Sequence, residues 1–183
     1  ETVLAALAHD IECWTGHGMI VVPRPNPATT GIEAEALARH GFGTRRPHAD
    51  PNRYLVDVTL DEKAQLASLD QKWRYNLRIA LRNNVEVSEL VGAEQYRTFA
   101  TLHAAMVERK QFADGDPIDL VPRMMAELPD ALRPRVFVAR HNGQPVAGAV
   151  IGVHGDTAYY LFGASNGEAL PLKAGYALQW AIV

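Results

Sequence analysis

Cysteine is nearly missing from this chain: Cys13 stands alone among 183 residues. One thiol cannot build an internal disulfide framework, so a reducing, cytoplasmic compartment is expected. No apolar run approaches the roughly 18–20 residues of a membrane span, and no signal-peptide pattern is present. A membrane-linked substrate would therefore be met from the cytoplasmic face. An excess of one charge is lacking as well. Lys and Arg number 18 against 21 Asp and Glu, a net charge of −3. That balance argues against coating DNA or an acidic membrane non-specifically, while leaving room for a local basic groove.

Several site chemistries are missing too. The 7 histidines have no His-x-x-x-His pair or other ligand spacing, so no zinc site is expected. Asp114, Asp116 and Asp119 fail as an EF-hand, because Asp119 stands where Gly is needed and Met125 where the final Glu belongs. They read as caps and solvated residues. Ser165 lacks the Gly-x-Ser-x-Gly setting of a hydrolase nucleophile. His103, on an apolar helix face, reads as a core histidine, and Cys13 as a packed, inert thiol. No residue stands out as a general base, so the catalytic residue is unknown at this stage.

What is present is ordinary globular composition, 48% hydrophobic and 21% charged, in a length that suits one sizeable domain or pieces of two. The chain opens on Glu1 inside a helical pattern and closes on the apolar run Gln179–Val183 without a stop signal. It reads as an internal fragment, truncated at both ends.

The pattern centres on Thr59 to Asn84, TLDEKAQLASLDQKWRYNLRIALRNN, which reads as one helix. Thr59 with Glu62 predicts a capping box, and Asn83-Asn84 a left-handed stop. Leu66, Leu69, Trp73, Leu77 and Ala80 form its apolar stripe. Arg74, Arg78 and Arg82 stack four apart as a basic ridge, with Lys72 toward the opposite flank and few acidic residues at neighbouring turns. Such a ridge is either a solvated face or a seat for phosphate or carboxylate.

Upstream, the spacing predicts a helix over Val3–Trp14, a short strand over Met19–Val22, a proline-rich loop and a helix from the Thr30/Glu33 capping box to Gly41. Arg53–Val58 reads as a strand. Downstream come a strand over Val85–Glu89, a helix over Ala93–Phe112 and a helix over about Leu120–Leu128. Three strands follow: Arg135–His141, Pro145–His154 and Thr157–Phe162, turning at Asn142-Gly143 and Gly155-Asp156. A last helix starts near Leu172. From Val85 this is the element order of the GNAT acyltransferase fold, which would add a strand beyond Val183.

Three segments carry a closer likeness. KWRYNLRIALRNNVEV (Lys72 to Val87) resembles the basic helix and following strand of FemAB-type peptidoglycan bridge-forming transferases. VFVARHNGQPVAGAVIGVHGDTAYYLFGAS (Val136 to Ser165) is similar to that family's closing hairpins, and Gly175–Trp180 to the helix after them. The resemblance implies an α+β protein (an α/β sandwich), GNAT-like, with a mixed, largely antiparallel sheet flanked by helices. It further implies that residues 1–58 end a first GNAT-like half and that 59–183 form a second half lacking its last strand or strands. Such transferases move an amino acid from aminoacyl-tRNA to an amine of a UDP-MurNAc-pentapeptide or lipid-linked peptidoglycan precursor, without DNA, metal or redox cofactor. By the same resemblance Lys72, Arg74 and Arg78 bind substrate, and Tyr160, with Tyr159 as its alternate, lines the groove. Neighbours on a strand point to opposite faces, so at most one of the two tyrosines does so; both are otherwise ordinary strand aromatics.

An alternative is an acyl-coenzyme A N-acyltransferase. Leu172–Ala177 stands where GNAT enzymes carry Arg/Gln-x-x-Gly-x-Gly/Ala, but only Gly175 and Ala177 match the coenzyme-binding pattern, and Leu172 replaces its polar first residue. A helix N-terminus can still hold phosphate. The third alternative is a non-catalytic protein that binds tRNA or precursor.

Overall fold

The structure, a computed structural model, describes residues 6, 9, 30–43, 55–91, 94–111 and 117–183. The chain divides into two compact units, Glu1–Tyr54 and Leu55–Val183. In the first, helix α1 spans Thr30–Arg39. Gly41 closes it with φ +83°, a left-handed conformation that Gly adopts without Cβ strain. The amides of Gly41 and Phe42 donate to the carbonyls of Ala38 and Leu37. The expected Met19–Val22 strand and most of the Val3–Trp14 helix lie outside the described residues, as does Cys13. Ala6 and His9 are helical.

The second unit departs at once from two expectations. Residues 55–58 are not a strand. Asp57 Oδ1 accepts from the amide and hydroxyl of Thr59 at 2.9 and 2.6 Å, which folds the chain into a turn. Leu55, Val56 and Val58 stay exposed, at 73%, 51% and 60%.

The long helix is two helices: α2, Glu62–Ser68, and α3, Gln71–Arg82. Between them Leu69 and Asp70 are extended, with ψ of 150° and 161°. The cause is side-chain competition with the backbone. Asp61, rather than Thr59, caps α2 by accepting from the Ala64 amide at 2.7 Å. Asp70 restarts the helix by accepting from the Trp73 amide at 2.7 Å. At the far end Asn84 takes the left-handed turn, φ +51°, as its sequence predicts.

Strands β1 (Glu86–Leu90), β2 (Arg135–His141), β3 (Gln144–His154) and β4 (Thr157–Ser165) form one sheet in chain order, and every described pairing is antiparallel. Asn142 and Gly143 both have positive φ, the geometry a two-residue hairpin turn demands. Helix α4, Glu94–Lys110, and α5, Val121–Glu127, lie between β1 and β2 in sequence. After β4, the short α6 (Ala169–Leu172) meets α7 (Ala174–Ile182) at Lys173, which is left-handed at φ +58°.

Alternation along the strands builds two cores. Ala139, Ala147, Ala149 and Ile151 pack with Ala80 of α3 and with Ala174, Ala177 and Leu178 of α7. Val136, Val138, Val150 and Ala164 pack with Phe99, Leu102 and Met106 of α4 and Val121 of α5. The central strands β2 and β3 are thus buried on both faces, the helix–sheet–helix sandwich expected of a GNAT-like fold. Gly148 lets α4 approach closely: a Cβ there would stand 3.2 Å from Leu102 Cδ1 and 3.3 Å from Phe99 Cδ2. His103 is 1% exposed beside Phe99, a core residue as expected.

Candidate active site

The site begins at the break before α3. Asp70 fixes the first turn, and burial of Asn76, Leu77 and Ala80 fixes the helix's rotation. The opposite side carries Lys72, Tyr75, Arg78 and Arg82 into solvent. The ridge is not uniform. Arg74 is half-buried and turns back along the chain, its Nη1 donating to the carbonyls of Ala67, at 3.2 Å, and Leu69. These are among the carbonyls that the end of α2 leaves unpaired, so Arg74 acts as a C-terminal cap. Arg82 donates from Nε to the Arg78 carbonyl at 3.3 Å. Lys72 and Arg78 have no carboxylate partner among the described residues. Asp70, the nearest acid in sequence, has an oxygen committed to its cap.

Helix α3 lies against α7. Trp73 meets Tyr176 edge to face at 5.2 Å between ring centres, and Asn83 Nδ2 donates to the Leu172 carbonyl at 3.4 Å. The α7 N-terminus is shaped by Lys173, whose side chain makes no capping bond. Gly175 is exposed, with nothing within 4 Å of where its Cβ would be, whereas Ala177 is buried at 3% and packs in the core.

The tyrosines are separated by the pleat. Tyr160 pairs with Ile151 and shares the face covered by α7; Tyr159 pairs with Gly152 on the other. Between them and Phe162 the register shifts. Val150 pairs with Phe162 and Ile151 with Tyr160, which leaves Leu161 as the extra residue of a bulge. Tyr160 is 49% exposed, and its hydroxyl is hydrogen-bonded to the side chain of Gln179 on α7. Partial burial raises the phenol pKa, and the Gln179 bond pulls it partly back. The ring lies across Gly163: a Cβ there would fall 2.7 and 2.9 Å from Tyr160 Cε1 and Cζ. The structure thus brings Tyr160 to α7 and α7 to α3, while Tyr159 faces away from both.

Two residues escaped the sequence reading. Gly163 carried a signal, since Gly inside a strand marks a bulge or a close approach. Gln179 carried none, being one polar residue on an amphipathic helix. Elsewhere, a cavity of about 350 Å³ opens beside α4, lined by Arg97, Thr98, Thr101, Leu102, Gln144 and Asn166, among others, and it involves none of the site residues above.

Residues 71–183 match a family model described as an acetyltransferase (GNAT) domain. Among solved structures, the crystal structure of FemX aligns with a TM-score of 0.73 at 16% sequence identity, covering 98% of this chain. This chain spans 63% of the length of that one. No curated protein matches the sequence. The FemAB-like resemblance read from the sequence is borne out at the level of family and fold.

Proposed function

The chain belongs to the GNAT acetyltransferase-domain family, and from that membership we propose that it is part of an aminoacyltransferase acting on a cell-wall precursor. In this reading an amine of a peptidoglycan precursor peptide attacks the ester carbonyl of aminoacyl-tRNA. A C–N amide bond forms, the ester C–O bond to the terminal ribose breaks, and the amine proton passes to the ribose oxygen. The ester is already activated, so the protein chiefly has to position the amine and stabilise the oxyanion. Residues 1–58 would then close a first half and 59–183 form the second.

One observation carries the reading. The three segments that resemble FemAB-type transferases converge on one helix, α7, through the Trp73–Tyr176 contact and the Tyr160–Gln179 hydrogen bond. Beside them Lys72 and Arg78 offer cationic heads with no carboxylate partner among the described residues, the chemistry that a diphosphate or a tRNA backbone requires. Arg74 supports the seat through the α2 cap.

A second reading, acyl-coenzyme A-dependent N-acylation, draws on the open N-terminus of α7. Gly175 is exposed there, and Lys173 leaves the first amides without a side-chain cap. The two readings separate in one experiment on the full-length protein. Labelled aminoacyl-tRNA and UDP-MurNAc-pentapeptide are supplied in one reaction, and acetyl-coenzyme A replaces the tRNA in another. Label on the pentapeptide is the expected result. Transfer from coenzyme A alone replaces the first reading with the second. Binding without turnover from either donor makes the protein a tRNA- or precursor-binding module.

A further inference from the structure

We propose that the cavity beside α4 binds a carboxylate carried on a neutral, partly apolar body, as at the end of an acylated amino acid or a peptide. The proposal does not depend on the aminoacyltransferase reading. Helix α4 packs on one face of the sheet with Val136, Val138 and Val150, whereas α3 and α7 pack on the other, so the cavity is separate from the site described above.

The cavity holds about 350 Å³, at the small end of the roughly 300–1,000 Å³ usual for ligand pockets. One wall is a single stripe of α4, in which Arg97, Thr98, Thr101, Leu102 and Ala105 recur at helical spacing. The facing wall is the start of β3 and Asn166, the residue after β4. Asn166 ties that wall together. Its backbone N–H donates to the Val146 carbonyl at 3.0 Å and its Nδ2 to the Pro145 carbonyl at 3.3 Å. Its Oδ1 accepts from the amides of Glu168 and Ala169 at 3.1 and 3.2 Å. Asn166 thus serves the wall rather than a ligand, and the cavity is preformed.

The polar groups left over have a definite sign. Arg97 is exposed, and its guanidinium has no ion-pair or hydrogen-bond partner among the described residues. The side chains of Thr98 and of the exposed Gln144 are equally without a partner there. Thr101 differs: its hydroxyl donates to the Arg97 carbonyl at 3.0 Å, so its oxygen offers lone pairs to an N–H. Leu102, 4% exposed, and Pro145 add apolar surface. No Asp or Glu lines the cavity.

This set selects among anions. A planar guanidinium forks onto both oxygens of a carboxylate. One cation balances that single charge but leaves a phosphate dianion half compensated. A free amino acid would bring an ammonium group that finds no acid. An amide in place of the ammonium instead gives its N–H to Thr101 and its carbonyl to Thr98 or Gln144, and a small side chain rests on Leu102.

The test is calorimetric titration of the full-length protein with N-acetyl-alanine, compared with neutral N-acetyl-alaninamide, free alanine and inorganic phosphate. N-acetyl-alanine should bind, and each comparator should bind at least about tenfold more weakly, the scale of one charge-assisted hydrogen bond. Methyl NMR of labelled alanines places the ligand: the Ala105 signal, identified by its loss in Ala105→Ser, should shift on titration. Arg97→Gln should weaken binding by about tenfold or more, and Arg97→Lys should restore only part, since a point charge lacks the fork. Position 97 is exposed, so neither change should move the thermal midpoint. Ala105→Leu, which fills the cavity from the same helix, should abolish binding.

No binding of N-acetyl-alanine overturns the site, and so does binding that leaves the Ala105 methyl unmoved or survives Ala105→Leu. Equal binding of the neutral amide, or of N-acetyl-alanine by Arg97→Gln, overturns the carboxylate assignment. Equal binding of phosphate makes the cavity a general anion seat and overturns it too. Equal binding of free alanine overturns the neutral body.

Discussion

Replacing Asp70 with Ala tests the break between α2 and α3 by the sign of its effect. In one continuous helix Asp70 would be an interior residue, and Ala, the better helix former, would stabilise by up to about 0.7 kcal/mol. In the structure Asp70 is extended and its carboxylate accepts from the Trp73 amide at 2.7 Å. Removing that cap should cost about 1 kcal/mol. For a protein of this size such a loss lowers the thermal midpoint by roughly 2–4 °C. Urea unfolding followed by tryptophan fluorescence gives the free energy directly, since Trp73 sits in the first turn of α3 and Trp180 in α7. Asp70→Asn keeps an oxygen acceptor and should lose less, only the favourable charge at the helix N-terminus. Asp61→Ala should behave like Asp70→Ala, because it removes the equivalent bond to Ala64. A stabilised or unchanged Asp70→Ala protein would refute the two-helix account and restore the uninterrupted helix.

The basic ridge should divide under mutation. Arg78→Ala and Lys72→Ala should leave stability within about 0.5 kcal/mol while weakening precursor or tRNA binding and flattening its salt dependence, as filter binding at several ionic strengths would register. Arg74→Ala should instead destabilise measurably, with Arg74→Lys an incomplete replacement, because one point charge cannot reproduce the guanidinium bonds to Ala67 and Leu69. Gly148→Val should cost about 1–3 kcal/mol in denaturant unfolding through overpacking against Leu102 and Phe99, with no effect on binding. The Arg135 guanidinium beside Glu89 lowers the carboxyl pKa. Its stabilisation is present above the ordinary value of 4.5 and is lost as pH falls through the depressed one. Wild-type stability should therefore decline more steeply in acid than that of Glu89→Gln, by a small margin because the pair is partly exposed.

The elements that sequence made legible are those set by local rules. The Asn142-Gly143 hairpin, the Asn84 stop, the alternation of β2 and β3 and the buried face of α4 follow from turn chemistry and periodicity. What escaped depends on competition or on distance. Apolar spacing runs unbroken through Leu66, Leu69 and Trp73, yet a carboxylate at 70 bonding its own backbone outweighs the stripe. The ridge was visible as three arginines, but not that one of them would serve the preceding helix. Tyr160 could be named only through the family resemblance, whereas Gln179 is brought near it by the turn through Lys173 and the packing of α7.

The sheet's order carries a consequence for the chain's assembly. Strands β2 and β3 each pair with their immediate successor across a two-residue turn, so the three strands can join soon after they are made. Helix α4 precedes them and can shield one side at once. The other side, paved by Ala139, Ala147, Ala149 and Ile151, meets Ala80 of the earlier α3 but waits for α7, which is made after the strands, to complete its cover. A nascent chain that has not yet released α7 from the ribosome therefore carries a paired sheet with one incompletely covered greasy surface. At that stretch of synthesis the exposed surface invites a chaperone, and a premature stop after Ser165 would leave it there permanently.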